Sequence, residues 1–435
     1  MKKKWLLSGL ALLLLLLTAC SGGSDSSSSS SDAGSGSSED GDDITLRIAW
    51  WGSQTRHDMT LEVIEMYEEQ NPNVTIESEF TGWDGYFEKM SAQAVGNNLP
   101  DIMQMNFGEY LNQYADKNLL ADLSEFVDEG VIDANGISPE LLDSGVVDGK
   151  LLGIPLGMNA LTVVYDEEML TNAGTSMPED WTWDDFEAAA TAVHEELDVY
   201  GTRLFEIDNI FEYYLRTHDA RFFNDDGTDL GYTDDQLLID YFTMNKNLVD
   251  EGIAPGFDVV QQIKGIEDEL IVHGNAPFDL RWSNQVVALS SAAGRPLKLA
   301  MLPGPNTEEG MFLKPASFFS VTESSEQKEE AAKFLDFFTN SIEANKILNA
   351  ERGIPVDEEV REELAAAADE NNKAIYDYID LVGENSSPVD KNYPASATEI
   401  ITLLTEVDEK VMYGQITPEE GAKEFREKAK EILAR

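Results

Sequence analysis

Several residue types are scarce in this chain of 435 residues, and each scarcity argues against a kind of bond, site or partner. Cys20 is the only cysteine, so no disulfide can form within the chain. The four histidines are spread without the spacing of a metal site, and we predict neither a metal nor a cofactor. Basic residues number 30 against 83 acidic residues, giving a formal net charge of −53. This balance argues against nucleic acid as a partner, because nucleic acid selects for basic protein faces.

Sequence motifs of the common enzyme classes are also missing. The chain has no GxSxG, HExxH, Walker A or GxGxxG motif in the proper context. A glycosidase needs two carboxylates at a set separation, and 83 acids are too many for their presence alone to decide this. We therefore predict a protein that is not an enzyme, and keep a surface-anchored carbohydrate-active enzyme as the alternative.

The N-terminus reads as an export signal. Three lysines precede an apolar run from Trp5 to Leu17, which is too short to span a bilayer permanently. The run ends in Leu-Thr-Ala-Cys, which resembles the bacterial lipobox, so we predict a signal peptide over 1–19 and lipidation of Cys20, for example with palmitate. After Cys20, residues 21–43 are serine, glycine and acid apart from Ala33, so we predict a disordered tether over 20–43. The alternative is a plain secretory signal followed by a buried cysteine.

The stretch Ile44–Thr60 organises the rest of the sequence. Its apolar residues alternate up to Trp50 and then recur at helical spacing, which predicts a strand, a short loop and a helix. The loop region carries Trp51, Ser53 and Arg56, and loops of this kind lie at the carboxyl edge of an α/β sheet, where such folds bind ligands. Indoles beside hydroxyl, amide and guanidinium groups suit a ligand with flat apolar faces and many hydroxyls, such as a sugar.

Two further strands repeat this arrangement. The strand near Val74–Phe80 runs into Trp83 and Asp84, and Leu99–Met105 ends at Asn106. A strand–helix series of this kind predicts a mainly parallel sheet with right-handed crossovers. The aromatic and amide residues at successive strand ends are therefore the main indication of a binding site.

The remainder of the chain predicts more elements and a second lobe. About 390 residues are too many for one hydrophobic core. The elements we expect are a helix over Leu119–Glu129, strands over 149–157, Leu161–Tyr165, Leu297–Leu302 and Phe318–Val321, a helix starting near Trp183, a strand end at Arg281 and helices from Lys328 to the C-terminus.

Nine segments, in their order and spacing, resemble the family 1, maltose-binding-protein-like extracellular solute-binding proteins of carbohydrate ABC importers. They are LRIAWWG, NPNVTIESEF, LPDIMQM, GKLLGIPLG, LTVVYD, PFDLRWSN, EEAAKFLDFFTN, RGIPV and ITPEEGAKEF. Within that family, AWWGSQTRHDMT, TGWDGYF and EDWTWDDFE are most similar to lipoproteins that bind pectin-derived oligosaccharides.

The resemblance implies an α/β, two-lobed, periplasmic-binding-protein-like (type II) fold with a hinge. The implied lobes are 44–154 plus 281–340 and 155–280 plus 341–435. The implied function is that of a monomeric oligosaccharide-binding protein, lipid-anchored at the extracellular face of the cell membrane. It would deliver its ligand, a pectin-derived and uronate-containing oligosaccharide, to the transmembrane permease subunits of an ABC importer, with the ATPase acting indirectly.

The candidate ligand residues form three chemical groups. The indoles that can stack on a pyranose face are Trp50, Trp51, Trp83, Trp183 and Trp282. The groups that can bind sugar hydroxyls are Ser53, Asp84, Gln104, Asn106, Asn159 and Asn284. The arginines placed to pair with a uronate carboxylate are Arg56 and Arg281. Each group has an alternative role, as core tryptophans, as caps of loops and helices, or as partners of surface acids.

Overall fold

The computed structural model describes residues 43–178, 181–391 and 393–435, apart from the side chains of 109, 370 and 371. The signal peptide, Cys20 and all but the last residue of the tether lie outside these ranges, so their predicted roles stay predictions. Contacts group residues 42–435 into one unit. None of the helices in the described part of the chain is long and apolar enough to cross a membrane.

Strands form where β-branched and aromatic residues alternate or run together. In the described ranges they are Ile44–Trp51 (β1), Val74–Thr81 (β2), Ile102–Met105 (β3), Val146–Val147 (β4), Lys150–Leu151 (β5), Ile154–Asn159 (β6), Leu161–Tyr165 (β7), Phe278–Trp282 (β8), Lys298–Ala300 (β9) and Lys314–Val321 (β10).

Helices occupy most of the remaining chain. They are Gln54–Gln70 (α1), Tyr86–Val95 (α2), Glu109–Asp116 (α3), Ser124–Asp128 (α4), Pro139–Asp143 (α5), Glu167–Asn172 (α6), Trp183–Leu197 (α7), Ile207–Arg216 (α8), Gln236–Asp250 (α9), Phe257–Val260 (α10), Val286–Ala293 (α11), Thr307–Gly310 (α12), Lys328–Asn340 (α13), Ile342–Leu348 (α14), Glu358–Ala367 (α15), Glu370–Glu384 (α16), Ala397–Met412 (α17) and Pro418–Leu433 (α18). Short 3-10 helices cover Ile266–Asp268 and Ser283–Gln285.

The first sheet has five strands in the order β2-β1-β3-β10-β6. Strand β1 pairs in parallel with both β2 and β3, which confirms the parallel arrangement predicted for the first three strands. Strand β10 is antiparallel to β3 and to β6, so it enters the sheet from the opposite direction. The carboxyl ends of β1, β2, β3 and β6 and the start of β10 therefore meet at one edge, which we call the binding edge.

The second sheet has three antiparallel strands in the order β8-β7-β9. The end of β8 at Trp282 pairs with Leu161 at the start of β7. Strand β9 also pairs with β7, although the predicted lobes place residues 298–300 with the first sheet. Helix α14, predicted with the second lobe, packs against α1 and α13. The local sequence pattern predicts that a strand forms, but it does not indicate which distant strand it pairs with. The boundaries of the two lobes therefore remain a prediction.

Alternation along β1 separates two cores. Leu46, Ile48 and Trp50 are fully buried against the face of the sheet that α1 covers. Ala49 and Trp51 point to the other face, where they join aromatic residues of α2. Successive side chains of a strand point to opposite faces, so these neighbouring tryptophans have different surroundings.

The predicted acidic helix over Leu119–Glu129 is much shorter in the structure. Only Ser124–Asp128 is helical, because the segment before it bonds to neighbouring strands. The backbone N–H of Ala121 donates to the carbonyl of Val321, and Leu123 N–H donates to the carbonyl of Leu151. Strand contacts thus replace helical hydrogen bonds at residues whose local pattern favours a helix.

Helices α8, α9, α17 and α18 pack together. Asp408 lies on α17 and is 5% exposed within this layer. Burial, with the negative charges of Asp208 and Glu409, raises the pKa of Asp408 to about 7. Between about pH 4 and pH 7, Asp408 is therefore protonated in the folded protein, whereas an unfolded aspartate, with a pKa of about 3.9, is ionised.

Because the folded pKa is the higher one, stability should be lost as the pH rises from about 4 to about 7. We expect Asp408→Asn to raise the free energy of unfolding, and to do so by about 2–3 kcal/mol more near pH 8 than near pH 5. Urea unfolding at both pH values measures this difference. Glu406→Gln, an exposed change on the same helix, is the control and should show no such pH-dependent gain. An equal gain at both pH values for Asp408→Asn would contradict the assignment.

Candidate functional site

Trp51 and Trp83 meet at the binding edge of the first sheet. Trp51 ends β1, and its ring packs edge-on against Trp83 with centroids 5.1 Å apart. Phe87 and Tyr110 support Trp83 from α2 and α3, at centroid distances of 5.6 and 6.1 Å. Trp83 remains 46% exposed. The structure thus presents a flat indole on a packed aromatic base, which suits stacking against the apolar face of a sugar ring.

Trp50 lies on the other face of the sheet and has no exposed surface. Its indole Nε1 donates a hydrogen bond to Nδ1 of His57 over 3.1 Å. Burial, followed by the charge of Arg352, lowers the pKa of His57, which favours the neutral ring that accepts this bond. Trp50 is therefore a core residue in this conformation, with no surface for a ligand.

Ser53 and Arg56 are already engaged at the start of α1. The Ser53 hydroxyl accepts a hydrogen bond from the backbone N–H of Arg56 over 3.2 Å and so caps the helix. The Arg56 guanidinium forms an ion pair with Glu351, beside the buried Arg352. A ligand carboxylate would have to compete with Glu351 for Arg56.

The other predicted residues of the first sheet differ in exposure. Asp84 is exposed next to Trp83, and Asn106 is half-buried just after β3. Gln104 is fully buried, and its Nε2 donates to the hydroxyl of Ser317 over 3.1 Å within the sheet. Asp84 and Asn106 can therefore meet a ligand, whereas Gln104 crosslinks β3 and β10.

Trp282 is the last residue of β8, in the second sheet. Its Nε1 donates to Oδ1 of Asn209 over 2.9 Å, which fixes the ring to α8. The ammonium of Lys314 lies 4.6 Å from the centroid of the Trp282 ring. Lys314 begins β10 and is paired in register with Asn159, the last residue of β6. The contact between Lys314 and Trp282 therefore joins the binding edge to the second sheet.

Lys314 has unusual surroundings for a lysine. It is half-buried and has no hydrogen bond or ion pair within the described residues. Burial lowers the pKa of Lys314, and the charges of Glu212 and Asp208 partly offset that effect. Both carboxylates belong to α8, so this helix presents acids to an ammonium that bonds to neither.

Glu212 is bonded instead to Tyr393, whose hydroxyl donates to the two carboxylate oxygens over 2.8 and 3.0 Å. Burial and the charge of Asp390 raise the pKa of Glu212. The Tyr393 ring packs against Phe107, with centroids 5.9 Å apart, and Asn112 Nδ2 donates to the Tyr393 carbonyl over 3.1 Å. The link between α16 and α17 thus contacts helices that flank both sheets.

Arg281 is not available to a ligand. It is 6% exposed and forms ion pairs with Asp279 and, over 2.9 Å, with Glu269. Burial alone would lower the pKa of Arg281, but these two carboxylates raise it. Arg203 joins the same buried cluster through Glu269 at 3.0 Å. The positive charge of Arg281 is therefore paired with buried carboxylates of the chain itself.

Trp183 and Asn284 lie on the second-sheet side. The Trp183 ring is half-buried and packs against Phe205 and Phe186, with centroids 5.5 and 6.1 Å apart. Asn284 is exposed in the 3-10 turn that follows Trp282. Trp183 therefore contributes to the packing of α7. Asn284, which follows Trp282 by two residues, is the exposed one of the two.

A cavity of about 970 Å³ is lined by residues that include Met158 and Leu313, the chain neighbours of Asn159 and Lys314. In the described ranges, no group of three or more His, Cys, Asp or Glu residues could hold a metal ion.

Four residues of the contacts described above were not among those predicted from the sequence: Asn209 and Lys314, which contact Trp282, and Glu212 and Tyr393, which bond to each other. Asn209 and Glu212 sit on a helix whose register against Trp282 depends on tertiary packing. Lys314 is the first residue of β10, and nothing in the neighbouring sequence indicates that it is half-buried. Tyr393 lies in a Pro-containing link, KNYPAS, whose polar and aromatic mixture was the one available signal.

Comparison with known proteins agrees with this geometry. Residues 55–344 match the sequence pattern of the bacterial extracellular solute-binding protein family. A binding protein of Brucella abortus is 25% identical over 74% of this chain and 78% of its own length. An ABC transporter extracellular-binding protein of Pyrococcus horikoshii is 26% identical over 33% of each chain.

Solved structures extend the similarity across most of the chain. A family 1 extracellular solute-binding protein of Alicyclobacillus acidocaldarius is 32% identical, covers 91% of this chain and 100% of its own, and has a TM-score of 0.77. A periplasmic oligogalacturonide-binding protein of Yersinia enterocolitica, in complex with saturated digalacturonic acid, is 26% identical over 90% and 99% of the two chains, with a TM-score of 0.75. A de novo designed esterase is 25% identical over 90% and 98%, with a TM-score of 0.76.

These matches confirm the two-lobed α/β fold of the family 1 proteins. The family pattern alone spans more than half of the sequence, and the Alicyclobacillus protein is similar over its entire length. The chain therefore belongs to the bacterial extracellular solute-binding proteins, the ligand-binding components of ABC transporters.

Proposed function

We propose that this protein captures an oligosaccharide between the binding edge of the first sheet and the Trp282 side of the second sheet. The observation that carries the proposal is the exposed indole of Trp83 on its aromatic base. Trp282 offers a second indole across the junction, and Asp84, Asn106 and Asn284 offer groups for hydroxyls. Aromatic platforms with a few polar groups are the usual chemistry of a site that binds sugars.

The mechanism is capture followed by delivery. Contacts from the second sheet to a sugar already stacked on the first would favour a closed arrangement, because the ligand then binds that arrangement more tightly. The closed form would dock on the permease subunits of an ABC importer. Sequence family and fold both support this role.

The ligand we propose is a pectin-derived, uronate-containing oligosaccharide. It is supported by the resemblance of the loop segments around Trp51 and Trp83, and by the Yersinia protein that binds digalacturonic acid. Arg56 is the predicted cation that remains partly accessible, although it is paired with Glu351. The bound carboxylate would replace Glu351 as the partner of Arg56.

A surface-anchored carbohydrate-active enzyme is the alternative function. The designed esterase of similar structure shows only that this fold can carry a hydrolytic site. Incubation with pectic oligosaccharides separates the two functions, since a binding protein retains the sugar stoichiometrically and an enzyme releases products.

Changing Arg56 should distinguish charged from neutral ligands. We expect Arg56→Ala to weaken a uronate oligosaccharide about tenfold or more, equivalent to about 1.4 kcal/mol, through loss of a charge-assisted hydrogen bond. A neutral oligosaccharide of the same length should bind almost unchanged. Calorimetric titration of both variants with both sugars, after a thermal-shift panel has identified ligands, measures this. Equal losses for both sugars would remove Arg56 as a carboxylate partner.

Removing the exposed indole should weaken binding with little loss of stability. We expect Trp83→Ala to reduce oligosaccharide affinity about tenfold, because a stacked aromatic ring contributes about 1–1.5 kcal/mol. Phe80→Ala is the matched control, since Phe80 is 40% exposed but packs against Trp50 on the other face. Unchanged affinity in Trp83→Ala, or an equal loss in Phe80→Ala, would contradict the proposed platform.

Anchoring through Cys20 is a separate part of the proposal. A single free lipid-accepting cysteine followed by a polar tether predicts attachment by acyl chains at the outer face of the membrane. We expect Cys20→Ala to move the protein from the membrane fraction to the soluble fraction of the producing cells, as seen by immunoblotting. Equal partitioning of both forms would show that another part of the chain holds the protein at the membrane.

A further inference from the structure

We propose that Lys314, Trp282, Asp208 and Glu212 form a subsite for a neutral, hydroxyl-rich pyranose ring, and that this subsite disfavours a uronate ring. The inference rests on the proposed function and deepens it, because it assigns a ligand class to one part of the cleft. A mixed oligosaccharide could still place a carboxylate near Arg56.

The ammonium of Lys314 is the first reason. A buried cationic group normally forms hydrogen bonds, since leaving its donors unsatisfied is costly. Lys314 has three N–H donors that make no hydrogen bond or ion pair within the described ranges, and its ammonium lies 4.6 Å from the centroid of the Trp282 ring. A sugar hydroxyl entering beside the indole would give the ammonium the acceptor that the protein does not supply.

Acceptors for hydroxyl protons surround the same point. Asp208 is exposed on α8, and its charge acts on Lys314. Asn159 is the cross-strand partner of Lys314, so their side chains lie next to each other on one face. The Asn159 Oδ1 atom is buried and has no hydrogen-bond partner. A ring hydroxyl both donates and accepts, and this mixture of donors and acceptors matches it.

Trp282 supplies the flat surface of the subsite. The hydrogen bond from its Nε1 to Asn209 and the edge contact with Phe312, at 6.2 Å between centroids, hold the ring in place. An indole fixed on two sides is preorganised for stacking against the C–H face of a pyranose. Lys314 now lies over the ring, so a sugar that stacks there would displace the ammonium, which could then bond to the sugar hydroxyls.

The local charge selects against a carboxylate. Lys314 carries one positive charge, whereas Glu212 and Asp208 bring two negative charges that act on it. Asp390, near Glu212, is matched by its ion pairs with Arg216 and Arg221 and adds no net negative charge. A uronate carboxylate placed on Lys314 would meet the two negative charges of Glu212 and Asp208 that already act on the single ammonium, whereas a hydroxyl would not. Hydroxyl recognition is therefore the better fit.

The experiment compares neutral and uronate oligosaccharides of equal length by calorimetric titration of the full chain. We expect the wild-type protein to bind a neutral pectic oligosaccharide built of pyranose rings, such as a galactan fragment. Lys314→Met, which keeps the apolar stem, should weaken that binding at least tenfold. Lys298→Met, an exposed lysine on β9, is the matched control and should leave the affinity unchanged. Thermal unfolding of each variant verifies that it folds.

A second variant tests the charge argument without touching the ammonium. Asp208→Asn removes one negative charge at an exposed position, so it should shift the affinity ratio toward the uronate sugar at least threefold. An unchanged ratio, unaltered neutral-sugar binding in Lys314→Met, or wild-type binding of uronate sugars alone would overturn the subsite while leaving the capture function in place. Failure of the wild-type protein to bind any sugar would overturn the proposed function together with the subsite.

Discussion

The alternation of side chains along β1 is the constraint on which the rest of the site depends. Trp50 and Trp51 are adjacent, yet one is sealed under α1 and the other supports Trp83. A shift of one residue in the pairing of β1 with β2 would exchange these environments and place an indole in the wrong core. Burial of Leu46, Ile48 and Trp50 on a single face therefore fixes the position of the aromatic platform as well as the stability of the sheet.

The basic residues near the strand ends differ in whether acidic residues of the chain pair with them. The two arginines best placed in sequence for a carboxylate, Arg56 and Arg281, are each matched by acids of the chain. With 83 acids in the sequence, an arginine finds an internal partner easily, so its presence near a strand end does not mark a ligand site. Lys314 is informative for the opposite reason, because it is half-buried among acids and bonds to none of them.

Features set by local pattern were predictable from the sequence. The parallel strands β1, β2 and β3, and the meeting of Trp51 with Trp83, follow from alternation and from the common edge of parallel strands. Features set by distant partners were not: β9 pairs with β7, and Gln104 bonds to Ser317 across the sheet. The surroundings of Trp282 are of the second kind, since Asn209 of α8 and Lys314 of β10 reach it from two separate parts of the chain.

The insertion of β10 between β3 and β6 also bears on how the chain acquires its structure. Strand β6 ends at Asn159, and its partner begins at Lys314, so the second sheet is built entirely within the interval between them. During synthesis from the N-terminus, the first sheet has a gap at an interior position until the ribosome has passed Val321. Closing so long an interval is entropically costly and slows folding.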